Sequence, residues 1–233
     1  RRDPAGAEAA FAALNPRLRA AGLVRAWRDE PYPVFGAGGR ELCRIERAAS
    51  RFWGTLTLGA HANGWVAGAD GRPVALWIAQ RSFTKATDPG LHDNLVGGGV
   101  PAGQSPWETL QREGWEEAGL PAALLATAVP GRVLALAREI PEGWQHEHLH
   151  VFDLCLPAGV EPANQDGEVH AFACLPVDEA VALARGGTMT VDASLATLDF
   201  VLRHRLLLPP ALAALEAAAA SLWVAAPAGI QIP

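Results

Sequence analysis

Apolar and polar residues change period several times along the chain, and each change marks an element. Residues 52–68 (FWGTLTLGAHANGWVAG) alternate like a pair of strands. Residues 72–82 read as another strand, entered through the turn signal Asp70-Gly71. Over residues 105–119 the period lengthens: Trp107, Leu110, Gly114 and Ala118 form one apolar helical stripe. Three further strands are predicted within 131–140, 146–157 and 168–179, then helices over 176–187, 192–207 and 209–224, the last opened by two prolines. Ahead of all this, residues 3–23 predict two short helices, the second capped by Asn15 with Pro16 at its first position. Residues 31–47 are short-spaced and turn-rich. The order of strands, helix, strands and helices predicts an α/β fold, a mixed sheet covered by helices. It divides as a small N-terminal module (1–47), a central domain (48–208) and a C-terminal helical extension (209–233).

Composition narrows the function. A chain of 233 residues, half of them hydrophobic, suffices for one large domain with a small appendage. A net charge of −6 argues against nucleic-acid and anionic-membrane partners, which need basic surfaces, but allows a local basic pocket. The three cysteines are odd in number and lack CxxC spacing, which disfavours disulfide and zinc frameworks and fits a reducing, cytoplasmic setting. Cys155 and Cys174 read as small buried hydrophobes in strands. The chain starts RRDPAG, with no initiator Met and no signal-like hydrophobic region after it. The alanine-rich run 211–230, interrupted by Glu216 and Pro227, reads as a packed helix rather than a membrane span. Eight tryptophans exceed what a site needs; most belong to core or interface, and a homodimer is left open. Trp77 or Trp144 is a candidate to stack on a heteroaromatic ring.

The helix at 105–119 carries the chemistry. Ser105-Pro106-Trp107-Glu108 is a capping box with proline at the first helical position, and Gly119 is a left-handed stop. Glu113, Glu116 and Glu117 share a face three and four residues apart, a spacing that costs roughly 0.2–0.5 kcal/mol per like-charge pair. They also lie toward the helix end whose dipole disfavours anions. Arg112 can pair with Glu108 and Glu116 and offset part of this. A hard divalent cation with oxygen ligands would offset the rest; a solvated acidic face is the plainer alternative. The loop before the helix holds Gly97, Gly98, Gly99 and Gly103, which permit close approach of a ligand to backbone.

This stretch resembles the Nudix box, G-x5-E-x7-R-E-U-x-E-E-x-G-U with U a bulky aliphatic residue. Gly98, Arg112, Glu113, Glu116, Glu117, Gly119 and Leu120 fall in register. The resemblance implies the Nudix α/β/α sandwich and Mg²⁺-dependent cleavage of a diphosphate linkage, with Mn²⁺ as a substitute. It implies that Glu113, Glu116 and Glu117 hold metal and that Arg112 orients them. Two positions depart: Gln104 stands in place of the first glutamate, and Gly114 in place of an aliphatic residue, leaving room for a bulky neighbour such as a tryptophan.

Residues 81–99 are similar to a narrower Nudix subgroup that carries an N-terminal domain of unknown function and includes the module fused to fungal thiamine pyrophosphokinases. Arg81, Ser82, Thr84, Lys85, Thr87, Pro89, Gly90, Asp93, Asn94 and Val96 match its pattern, and the likeness extends over about 52–207. It implies a small organic diphosphate as substrate, thiamine diphosphate or its oxidised analogues. Lys85 and Arg81 are candidates for substrate phosphate, against solvated surface cations. Asn94, otherwise a turn former, is a candidate for a substrate amide or ring nitrogen. Gly98 and Gly99 would meet the substrate through backbone. Glu168, in the turn Asp166-Gly167-Glu168, is the candidate general base, with Glu147 in reserve. His146, His148 and His150 alternate, so one strand face carries all three; a polar strand face outweighs a transition-metal site. The rival readings are a non-catalytic ligand-binding domain of the same fold and an isopentenyl-diphosphate isomerase-like activity. The latter needs a cysteine near the glycine loop, and the nearest are Cys43 and Cys155.

Overall fold

The computed structural model describes residues 4–224; the first three residues and the 225–233 part of the expected C-terminal extension lie outside it. The described chain is a mixed α/β structure. Helix α1 (Pro4–Ala20) leads into a two-stranded antiparallel hairpin, β1 (Pro31–Phe35) and β2 (Glu41–Glu46), followed by α2 (Arg47–Trp53). The main sheet then contains β3 (Thr57–Ala67), β4 (Pro73–Arg81), β5 (His92–Asp93), β6 (Val96–Gly99), β7 (Val129–Ile140), β8 (Gly143–Cys155), β9 (Val169–Pro176) and β10 (Trp223–Val224). The helices α3 (Pro106–Glu116), α4 (Ala122–Leu125), α5 (Val177–Gly186), α6 (Val191–Arg203) and α7 (Pro209–Ala219) complete the described chain.

Strand β3 is the axis of the fold. It runs parallel to β8 along one edge. On the other edge its first half pairs with β6 and its second half with β4, both antiparallel. The chain between β4 and β6 therefore loops out beside the middle of β3, which carries residues 85–88 to a cleft. The two faces of the sheet bury different layers. Leu58, Ala60, Ala62, Phe152 and Leu154 pack with Leu110, Leu120 and Leu125 on the α3 side. Leu76, Ile78, Leu149 and Val151 pack against Ala180, Ala193, Ala196 and Phe200 of α5 and α6 on the other. The period of two along each strand produces this two-sided burial.

Several predicted elements come out differently. The N-terminal residues form one helix, α1, with Pro16 inside it rather than two helices. Beside it Asn15, buried, accepts a hydrogen bond from Trp53 Nε1 at 2.9 Å, tying the helix to α2. Residues 52–68 hold the end of α2 and one long strand rather than a strand pair, because α2 is capped by Gly54 in the left-handed conformation. The final helix stops at Ala219, and Trp223–Val224 then pairs with β7. Cys174, on the largely exposed edge strand β9, is exposed, not buried; Cys155 is half-buried. All three cysteines are free. Among the described residues no helix is long and apolar enough to cross a membrane.

Candidate active site

Helix α3 begins as its sequence dictates. Ser105 Oγ accepts from the Glu108 N–H at 3.2 Å, and Glu108 Oε2 accepts from the Ser105 N–H at 2.7 Å. Glu108 is thus used in the cap, and the expected pair with Arg112 does not form. Arg112 instead donates to Glu116 Oε2 and to Glu113 Oε1, each at 2.7 Å. Gln104 Oε1 accepts from Thr109 Oγ1 at 3.1 Å and, at 3.5 Å, from Arg112 Nε. The bracing contact of the first box position therefore survives, but it is long and carries no charge.

The glycines of β6 permit an unusually close approach by this helix. A Cβ at Gly98 would stand 2.5 Å from Glu113 Oε1, so only glycine admits that carboxylate. Glu117 accepts from the Gly97 N–H at 3.0 Å through Oε2 and from Lys85 Nζ at 3.2 Å through Oε1. Gly114 serves packing: a Cβ there would collide with Leu125 of α4, so its bulky neighbour is a leucine and not a tryptophan.

The carboxylates sit in a cleft of about 820 Å³. Burial pushes the Glu113 carboxyl up, against the charge and hydrogen bond of Arg112. Burial pushes Glu117 up to about 7, although Lys85 and the Gly97 N–H oppose it. Both raised carboxyls stand against one glycine strand, and in each case burial outweighs the cation beside it. Among the described residues no three His, Cys, Asp or Glu side chains stand ready-clustered around a metal ion; Glu113 and Glu116 turn to Arg112, and Glu117 to Lys85. The donor set nevertheless suits a hard divalent cation: three carboxylates on one helix face, all lining the same cleft.

The remaining expected residues divide. Lys85 lines the cleft as a bracket, 2.6 Å from Glu168 Oε2 as well as near Glu117. Arg81 also lines it but is occupied by Asp93 Oδ2 at 2.8 Å and the Thr87 carbonyl at 2.9 Å. Glu168 is at the rim, with Arg28 Nη1 3.6 Å away. Burial raises its carboxyl, but the hydrogen bond and charge of Lys85, with Arg28 and Arg47, outweigh that and hold it below the usual range. Gly98 and Gly99 line the cleft. Asn94 does not. It is 2% exposed, its Oδ1 lies 3.0 Å from His61 Nδ1, and its amide donates to Asn63 Oδ1 and Thr197 Oγ1. Its place is a buried polar network tying β3 to α6. His146, His148 and His150 do share a face of β8. Both ring nitrogens of His150 are buried without a partner, and burial, with His148 nearby, drops that ring to about 4, so it is neutral.

Sequence reasoning missed one wall of the cleft. Arg25, Arg28, Tyr32, Arg47 and Arg51, all from the first 51 residues, line it. Nothing in their spacing marks them. Glu147 and Asp192 form the floor: Gln145 Nε2 donates to both, at 3.1 Å each, and a Cβ at Gly59 would collide with Glu147. Trp144, 45% exposed, stands at the mouth; Trp77 packs in the core instead.

The chain is 38% identical over 192 residues to Nudix hydrolase 24, chloroplastic, of Arabidopsis thaliana, covering 81% of this chain and 52% of that protein. It is 35% identical over 190 residues to Nudix hydrolase 20, chloroplastic, of the same plant, covering 81% and 50%. The chain thus spans about half the length of these relatives. The fold matches the crystal structure of DR0079 from Deinococcus radiodurans with a TM-score of 0.54 at 21% identity, covering 73% of this chain and 98% of that one. The family description NUDIX domain matches residues 57–193, more than half of the chain, and the chain belongs to that family.

Proposed function

We propose that this protein is a Mg²⁺-dependent pyrophosphohydrolase acting on a small organic diphosphate. The observation that carries the reading is the packing of Glu113 and Glu117, both with raised carboxyl pKa, onto Gly97 and Gly98 in a cleft that also presents Lys85, Arg47 and Arg28. Glu113, Glu116 and Glu117 would hold the metal. When bound, Mg²⁺ or Mn²⁺ would neutralise diphosphate charge and lower the pKa of the attacking water. Arg112 holds Glu113 and Glu116 in place. Lys85 moves its charge from Glu117 and Glu168 toward a substrate phosphate, and Arg81 fixes the loop beneath it. Glu168, relieved of Lys85, becomes a stronger base and accepts the proton; Glu147 is the reserve. Gly98 and Gly99 face the substrate through backbone.

For the substrate we favour thiamine diphosphate or its oxidised analogues. The match of residues 81–96 to the thiamine-linked subgroup supports this, as does the exposed ring of Trp144 at the mouth, which can stack on a heteroaromatic ring. The catalytic unit is read as 48–208, flanked by 1–47 and 209–233. Three free cysteines fit a reducing compartment, and the cytoplasm is the setting proposed.

The test is phosphate release, with product masses, from thiamine, oxothiamine and oxythiamine diphosphates beside ADP-ribose, each with Mg²⁺ and with EDTA. Metal-dependent release of phosphate and a monophosphate from a thiamine analogue is expected. Preference for ADP-ribose with no thiamine analogue cleaved overturns the substrate reading, and full activity in EDTA overturns the metal reading.

A further inference from the structure

We infer that the N-terminal segment completes the cleft with an anion subsite, in which the Tyr32 hydroxyl and the Arg47 guanidinium hold the non-bridging oxygens of the substrate's diphosphate. This rests on the diphosphate reading above and deepens it.

Tyr32 lies in β1 and is 3% exposed, yet its hydroxyl is buried without a hydrogen-bond partner. A buried hydroxyl left unpaired is a standing cost that a well-placed acceptor removes. Tyr32 lines the cleft, and its hydroxyl is pressed against Gly99 so closely that a Cβ there would collide with it. The next glycine back, Gly98, is the one that receives Glu113. Successive strand residues point to opposite faces, but the Glu113 charge acts on both Tyr32 and Arg47, which sets the subsite near the carboxylates that would hold the metal. Burial holds the phenol well above its ordinary range, so it remains a proton donor.

Arg47 supplies the charge. It stacks over the Tyr32 ring with its Cζ 5.4 Å from the ring centroid. Its Nη1 is taken by Glu30 Oε2 at 2.8 Å, while Nη2 is 3.5 Å from where a Gly99 Cβ would stand. One edge of the fork is thus anchored and the other faces the same glycine as the Tyr32 hydroxyl. A guanidinium edge beside a hydroxyl matches two oxygens of a phosphoryl group. The sign of the wall agrees. Of the lining residues before Leu58, Arg25, Arg28, Arg47 and Arg51 are cationic and Glu30 alone is anionic, while Glu113, Glu116 and Glu117 line the same cleft. A diphosphate in this cleft would present some oxygens to metal and others to these donors.

Tyr32→Phe removes only the hydroxyl, and Arg47→Lys keeps the charge but loses the fork. The probe is methylenediphosphonate, a diphosphate analogue whose bridging carbon prevents cleavage, titrated calorimetrically into the full chain with Mg²⁺. Wild type should bind it, Tyr32→Phe should weaken binding at least about fivefold, and Arg47→Lys about tenfold. The probe-free Tyr32→Phe protein should melt no lower than wild type, because the unpaired hydroxyl is gone. Equal probe affinity in wild type and Tyr32→Phe overturns the subsite, as does failure of wild type to bind, or a lower melting temperature with binding unchanged. Weakened binding in Tyr32→Phe, with no diphosphate hydrolysed by wild type, would leave the subsite standing and overturn the hydrolase reading.

Discussion

The ammonium of Lys85 sits 3.2 Å from the carboxylate of Glu117, and both side chains are less than a tenth exposed. The pair offsets a charge that would otherwise be buried alone, since Glu117 also faces Glu113 and Asp93. Lys85→Met should therefore destabilise the metal-free protein at pH 8 by about 1–3 kcal/mol, the scale of a buried charge losing its partner after relaxation. Added Mg²⁺ should recover much of that loss if Glu117 is a ligand. Thermal melts with and without Mg²⁺ check both parts; a variant as stable as wild type without metal would show that Lys85 is dispensable to Glu117.

Glu116 is the most exposed of the three helix carboxylates at 41%, and its partner is Arg112. Glu116→Gln keeps a hydrogen-bond acceptor for Arg112 and should leave the melting temperature within about 2 °C, the shift expected of a surface change. Turnover should fall at least about a hundredfold because a metal ligand is lost. Steady-state rates over a Mg²⁺ titration provide the measurement, and unchanged turnover would remove Glu116 from the ligand set.

Gln104 tests whether the departure from the family box is tolerated or rebuilt. Its 3.5 Å contact with Arg112 Nε is at the limit of a hydrogen bond. Gln104→Glu would make that contact charge-assisted and should add about 0.5–1 kcal/mol of stability at this half-buried position, with a modest gain in rate. Urea melts and initial rates measure the two effects. A large loss of activity would mean that the pocket is arranged around the amide.

What was legible in the sequence depended on how local its cause was. The α3 helix, its cap and its stop follow from residues within a few positions of one another, and all three appear as read. The long strands β4, β7, β8 and β9 announced themselves by period, and the sheet they form is mixed as expected. Short pieces were invisible: β5 has two residues and α4 has four, too few for any periodicity. Asn94 looked like a loop residue because its partners, Asn63 and Thr197, are far away in sequence. The arginine wall stayed hidden for the same reason. Arg47 faces Gly99 only because the β1–β2 hairpin packs beside the glycine strand, and its charge within a net acidic chain gave no sign of that. Gly114 shows the converse: the gap was legible, but the residue that fills it, Leu125, belongs to a helix that was not.

The floor of the cleft should make stability fall with rising pH. Burial pushes Asp192 up to about 7, with Glu147 and Asp93 adding to the rise and His61 and Arg51 opposing it. In the unfolded chain this carboxyl titrates near its ordinary value of about 4. Between those values the native state holds a proton that the unfolded state has released, so stability declines as pH rises through the window and the full cost is present above pH 7. His61 adds to the same slope: burial lowers its pKa, but Asp93, Asp192 and the Asn94 contact raise it on balance, and its contribution is lost as pH rises through its raised value. Asp192→Asn keeps an oxygen for the Gln145 amide, removes the titration and weakens the pull on His61. The variant should lose about 1–2 kcal/mol less stability than wild type between pH 5 and pH 8, a figure reduced for solvent access at the cleft floor. Glu117 titrates in the same range in both proteins and cancels in the difference. Urea melts of both proteins at pH 5 and pH 8 measure it, and parallel slopes would show that Asp192 is ionised throughout the native state.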